Sequence, residues 1–181
     1  MLFHLLMLTV STILSTTNPS GFHQLELDKV DGSTFEFQSL KGKVVLVVNT
    51  ASGCGFAPQY GELQKLYDEY HASGLEILAF PSADFGGQEP LSNKQILVSC
   101  SSDYGVSFPV FAKSKVRGHG ANPVFIWLSS PDAGRITFSK PIWNFQKFLI
   151  NKEGKLVKVY LPFVSPSSAR LKKAIAELLR Q

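Results

Sequence analysis

Two hydrophobic periods alternate along this chain. Residues 23–28 and 34–38 alternate apolar and polar positions around Asp31-Gly32, the period-2 signature of a β-hairpin closed by a tight turn. Residues 43–48, Lys-Val-Val-Leu-Val-Val, are apolar on both faces, as a strand covered on both sides must be. Leu63, Leu66, Tyr67 and Tyr70 then fall at helical spacing across residues 59–71, with Pro58 tolerated near the helix start. A second strand-like run at 75–80 precedes two short helices, at 92–103 with Ser or Asn at its start and at 122–128. Strands at 144–151 and 155–161 are joined by Asn151-Lys-Glu-Gly154, where Gly154 can supply a positive φ. The last helix is expected to start at Ser165, with Pro166 in its first position, and to bury Leu171, Ile175, Leu178 and Leu179. Alternating β and α elements, then helix, hairpin and helix, predict an α/β fold: a mixed central sheet flanked by helices, with an N-terminal β-hairpin.

The first twenty residues do not belong to that pattern. They are apolar to Leu14, then turn into Ser15-Thr-Thr-Asn-Pro-Ser20, and no Lys or Arg precedes Lys29. So short an apolar run falls below the roughly 20 residues that span a bilayer, and it fits the core of about 7–15 residues of a signal peptide. We read 1–20 as an apolar leader and candidate signal peptide, and 21–181 as one domain. If the leader is a signal peptide the protein is directed to the secretory pathway or the cell exterior; otherwise it stays in the cytoplasm. With 181 residues, 44% hydrophobic and 18% charged, the chain is long enough for one well-buried core and too short for two ordinary ones. The net charge of +4 comes without a long Lys/Arg run or an aromatic stripe, which argues against nucleic acid and for an acidic small substrate or acidic partner.

Two cysteines, Cys54 and Cys100, are too few for a metal cluster or a disulfide scaffold, and neither a metal nor a cofactor is expected. Cys54 lies where the apolar strand runs out into Asn49-Thr-Ala-Ser-Gly-Cys54-Gly55 ahead of a helix, near backbone N–H groups that favour a thiolate. A thiol that only fills a core belongs inside the apolar run, not after it among Gly and Ser. Cys100 sits in Ser92-Asn-Lys-Gln-Ile-Leu-Val-Ser-Cys-Ser-Ser-Asp103, whose second half holds mediocre helix formers and is expected to melt easily. Gln88, Trp143 and Asn144 carry neutral N–H donors at the ends of segments that can pack beside the Cys54 strand. Each of the three alone also has a purely structural reading: a solvated loop residue, a core aromatic and a strand-end cap.

Three blocks, Gly42-Lys-Val-Val-Leu-Val-Val-Asn-Thr-Ala-Ser-Gly-Cys-Gly55, Phe85-Gly-Gly-Gln-Glu-Pro90 and Trp143-Asn-Phe145, come in the order and at the approximate separations of the glutathione peroxidase family, which the chain resembles from about Phe22 onward. The resemblance implies a thioredoxin-like fold and a thiol peroxidase that reduces hydrogen peroxide and organic or lipid hydroperoxides. It implies Cys54, Gln88, Trp143 and Asn144 as catalytic residues. Cys100, twelve residues after Gln88, falls where family members with a second functional cysteine carry it, and would be the resolving cysteine. The short segment from Ser129 to Pro141 resembles the monomeric branch that is re-reduced by a thioredoxin-type protein. Glutathione remains an alternative reductant, since Lys113, Lys115, Arg117 and Lys140 could attract its carboxylates. A redox relay or sensor, and an inactive thioredoxin-fold binding module, also stay open.

The chain departs from the family's pattern at Ser82-Ala-Asp84, where Cys-Asn-Gln is common, and at Leu91, where Gly is common. An anion at Asp84 near Cys54 would disfavour the thiolate and lower activity.

Overall fold

The computed structural model describes residues 21–134, 136–137 and 139–181. The leader expected at 1–20 lies outside the described residues. Strand β1 (Glu26–Asp28) pairs antiparallel with β2 (Thr34–Glu36), as the alternating pattern predicts. Asp31 closes their turn by accepting from Ser33 N and Oγ, and Gly32 takes the positive φ of 84°. The strands are shorter than expected because Phe22–Gln24 and Phe37–Leu40 coil into 3-10 turns that bury Phe22, Phe37 and Leu40.

The main sheet holds β3 (Val44–Thr50), β4 (Leu75–Pro81), β5 (Lys147–Ile150) and β6 (Leu156–Tyr160), in the order β4-β3-β5-β6. β3 and β4 run parallel; β5 is antiparallel to both β3 and β6. The parallel pair needs a crossover, and α1 (Gln59–Tyr70) supplies it. Both faces of β3 are covered, so the absence of alternation in its sequence is explained. Val44, Leu46 and Val48 face one apolar layer, where α1, α2 (Asn93–Tyr104) and α4 (Ala169–Leu179) contribute Leu63, Ile96, Leu171 and Ile175. Val45 and Val47 face the other, closed by Phe22, Phe37, Phe111 and α3 (Pro123–Leu128). Asn122 caps α3, its Oδ1 accepting from Val124 N at 3.0 Å. The result is the mixed sheet with flanking helices and N-terminal hairpin that the sequence predicts.

Two boundaries differ from expectation. The last helix starts at Ala169, not Ser165. Ser165 Oγ instead donates to Glu62 on α1, and Ser167 N and Ser168 N bond back to Ser165, so residues 165–168 form a turn fastened to another helix. The strand expected from 144 starts at Lys147, because Phe145 takes φ 63° and turns the chain just before it. For a bulky residue that conformation costs about 1–3 kcal/mol and persists only where the surroundings over-determine it. Here the Phe145 ring is fully buried, edge-on to Tyr60 at 5.4 Å, and its N–H donates to Asn49 O at 2.6 Å.

Candidate active site

Cys54 lies in tight turns between β3 and α1. Its N–H donates to Ala51 O at 3.3 Å, its carbonyl accepts from Ala57 N at 2.8 Å, and Phe56 N–H reaches its Sγ at 3.5 Å. This donor to the sulfur therefore comes from the turn itself, from Phe56, three residues ahead of the first residue of α1. The residue is 6% exposed, and both cysteines are free thiols.

The Cys54 turn is bonded directly to the loop that carries Gln88. Gly53 N donates to Gln88 O at 2.8 Å, and a Cβ on Gly53 would come within 2.9 Å of that oxygen, so only glycine permits the approach. Gly86 and Gly87, both at φ 65°, bring the chain round to Gln88. Gln88 Oε1 in turn accepts from Asn144 Nδ2 at 2.9 Å, and Asn49 Nδ2 at the end of β3 donates to Trp143 O at 2.9 Å. Three segments distant in sequence thus converge: the Cys54 turn, the Gln88 loop and the Trp143-Asn144 pair. Asn144 is fully buried, whereas Trp143 is 40% exposed and packs its ring 5.7 Å from Phe85. Asn49 Oδ1 and Asn144 Oδ1 are buried without a partner among the described residues. Interiors rarely leave such groups unpaired, so polarity gathered here marks a place that packing alone does not account for.

Glu89 was not singled out by sequence reasoning, although it lies inside the Phe85-Pro90 block. It is 1% exposed, and its carboxylate accepts from Ser52 N at 2.9 Å, Ser52 Oγ at 2.7 Å and Leu91 N at 3.3 Å. A buried carboxylate is stable only with such partners, and here they clamp the Cys54 turn to the Gln88 loop a second time. Asp84, expected to set an anion against the site thiol, has another task. Its Oδ2 accepts from Val116 N at 2.7 Å and Arg117 N at 3.1 Å, fastening the 116–117 backbone, while the Arg117 guanidinium lies 5.0 Å over the Phe85 ring. Lys113 is also engaged, donating to Leu91 O at 2.7 Å.

Cys100 lies on α2, buried in the same apolar layer as Cys54. The helix is better capped than its composition suggests. Ser92 and Gln95 form a reciprocal capping box, and Gly105, left-handed at φ 64°, donates to Cys100 O and Ser101 O. Burial pushes the Cys100 thiol up to about 11; the neighbouring Tyr60 side chain works in the opposite direction, and the charges of Glu89 and Asp103 add to the rise.

The family profile described as "Glutathione peroxidase" matches residues 22–129. The chain is 46% identical over 149 residues to the glutathione peroxidase-like peroxiredoxin 2 of Saccharomyces cerevisiae, covering 82% of this chain and 92% of that protein. It is 45% identical over 159 residues to the glutathione peroxidase homolog BsaA of Halalkalibacterium halodurans, covering 88% and 99%. Among solved structures, the crystal structure of Trgpx in apo form superposes with a TM-score of 0.70 at 31% identity, over 89% of this chain and 96% of that one. A putative protein disulfide isomerase from Bacteroides thetaiotaomicron, 20% identical with a TM-score of 0.61, shares the fold alone.

Proposed function

From the premise that the chain belongs to the glutathione peroxidase family, we propose that it is a thiol peroxidase working through Cys54 and Cys100. The Cys54 thiolate attacks the terminal oxygen of a hydroperoxide, breaking the weak O–O bond; Cys54 becomes a sulfenic acid, and the departing oxygen takes a proton and leaves as an alcohol or water. Gln88, Trp143 and Asn144 are the neutral donors that stabilise charge on the leaving oxygen. They can do so without the tight ion pair that would blunt the nucleophile. Cys100 then displaces the sulfenic hydroxyl as water, closing a Cys54–Cys100 disulfide, which a dithiol protein of the thioredoxin type reopens by exchange. The observation that carries this reading is the continuous bonding from the Cys54 turn through Gln88 to Asn144. Preference for thioredoxin over glutathione rests on the second thiol, and on two of the four candidate glutathione-binding cations being engaged within the protein. A monomer is proposed from the short 129–141 segment.

The test is peroxide consumption with thioredoxin and glutathione supplied separately, alongside Cys54→Ser. Turnover is expected with thioredoxin and its reductase, and Cys54→Ser should abolish it with either reductant, since a serine hydroxyl is scarcely ionised at neutral pH. Variant activity above about a tenth of wild type would remove Cys54 from the centre of the mechanism.

A further inference from the structure

Backbone and side chain of Trp143 are held by different partners. Its carbonyl accepts from Asn49 Nδ2 at the end of β3, which fixes the backbone. Its indole is 40% exposed, and the ring it meets among the described residues is Phe85, at 5.7 Å with the planes 48° apart. The aim of the indole N–H therefore depends on where the Phe85 ring sits. Phe85 is buried, and the Arg117 guanidinium lies 5.0 Å over it. The residue before it, Asp84, accepts from Val116 N at 2.7 Å and Arg117 N at 3.1 Å through one carboxylate oxygen. Two consecutive residues of the Gln88 loop thus hold the 116–117 segment at two points, Asp84 by its backbone and Phe85 by its cation. The same segment borders a cavity of about 300 Å³ with Phe125, Ile126 and Lys140, so packing alone leaves it room to shift. Asp84 is also a position at which the chain departs from its family's pattern.

We propose that Asp84 and Arg117 are positioning residues for the Trp143 indole, acting through Phe85. The inference rests on the reading of Trp143 as a donor to the leaving oxygen. Asp84 fixes the backbone of residues 116–117, that backbone sets the guanidinium over Phe85, and the ring so held backs the indole, whose N–H keeps its direction before peroxide arrives. A donor that must be turned into place at the moment of reaction stabilises the developing charge less than one already aimed. Neither Asp84 nor Arg117 touches the peroxide. The role gives Asp84 the opposite sign from an anion that disfavours the Cys54 thiolate: losing its bonds slows the first oxidation, whereas losing a harmful charge would speed it.

The test is stopped-flow oxidation of Cys54 in single variants and again in a Trp143→Phe background. Asp84→Ala, which deletes the acceptor, should slow the first oxidation about 3- to 10-fold, the range that loss of a net hydrogen bond allows. Arg117→Ala should slow it about 2- to 5-fold, as one cation–π contact at an exposed site allows. Asp84→Asn keeps an oxygen for the two N–H groups and drops the charge, and Arg117→Lys keeps a cation for the ring; both should stay within about 2-fold of wild type. In the Trp143→Phe background neither alanine substitution should slow the reaction further, because the indole N–H through which they act is gone. A general loosening of the site would slow both backgrounds alike. Faster oxidation in both Asp84 variants, wild-type rates in both alanine variants, or equal slowing with and without the indole overturns the inference while the donor reading stands. If Trp143→Phe itself leaves the rate unchanged, the donor reading of Trp143 falls and this inference with it.

Discussion

Gln88 Oε1 accepts from Asn144 Nδ2, so each amide fixes the other's orientation, and the hydrogens of Gln88 Nε2 remain for a further acceptor. A preorganised neutral donor of this kind acts where charge develops on the departing oxygen, and needs no reorganisation at the moment of reaction. Gln88→Ala or Trp143→Phe should therefore slow the first oxidation by roughly 10- to 1000-fold, the range found when such a donor is removed. Stopped-flow oxidation of Cys54 measures it; wild-type rates in both variants would return these side chains to a structural role. Glu89 does different work in the same place. Its carboxylate is committed to Ser52 and Leu91, so it holds the site loops together. Four of the residues proposed for the site, Cys54, Gln88, Trp143 and Asn144, were legible from sequence because they stand in short blocks of unusual composition. Glu89 stood in one of those blocks but was missed, because a surface loop is the ordinary place for a glutamate and only burial reveals its use.

Among the elements, α2 combines strong caps with a weak middle, an arrangement that suits a segment which opens as a unit and reforms in register. Cys100→Ser should leave the first attack on peroxide nearly intact and collapse turnover with thioredoxin, because the sulfenic acid would have no resolving partner. In the wild type, oxidation should raise hydrogen exchange across 93–104. Equal exchange in the two redox states, or full thioredoxin-dependent turnover in the variant, would contradict this cycle. Strands and helices with strong periodicity were readable in the sequence: the hairpin, β3, β4 and α1 all lie where the hydrophobic pattern places them. The boundaries that escaped it depend on contacts between distant residues. Ser165-Pro166 is a credible helix start by local chemistry, but Glu62, about a hundred positions away, takes the Ser165 hydroxyl and delays the helix to Ala169. In the same way Phe145 has no local reason to take a positive φ. Burial of its ring beside Tyr60 and the bond to Asn49 O impose it.

For the molecule as a whole, the sheet, α1 and the C-terminal segment meet at one buried ammonium. Lys147 on β5 is fully buried, and its Nζ donates to Gln59 Oε1 on α1, to Pro162 O at 3.1 Å and to Val164 O at 2.7 Å. Three acceptors match the three donors of a charged lysine, yet desolvation works against the charge and brings its pKa down to about 7, with Glu62 pulling it back up. In the unfolded chain the same amine titrates near 10.4. Between about 7 and 10.4 the unfolded state consequently binds more protons than the folded state, so this group's contribution to stability rises with pH across that interval and is lost as pH falls through about 7. The slope from one such group approaches about 1.4 kcal/mol per pH unit at its steepest. Lys147→Met would remove the titration and strand three acceptors, an outcome that should cost about 1–3 kcal/mol for each group left unsatisfied. Denaturant unfolding at pH 6, 7.5 and 9 should show the variant less stable than wild type at pH 9. The gap should narrow toward pH 6, where the wild type must keep a charged lysine buried. A gap of constant size across the three pH values would mean that the amine stays charged throughout, with its three acceptors outweighing the loss of water.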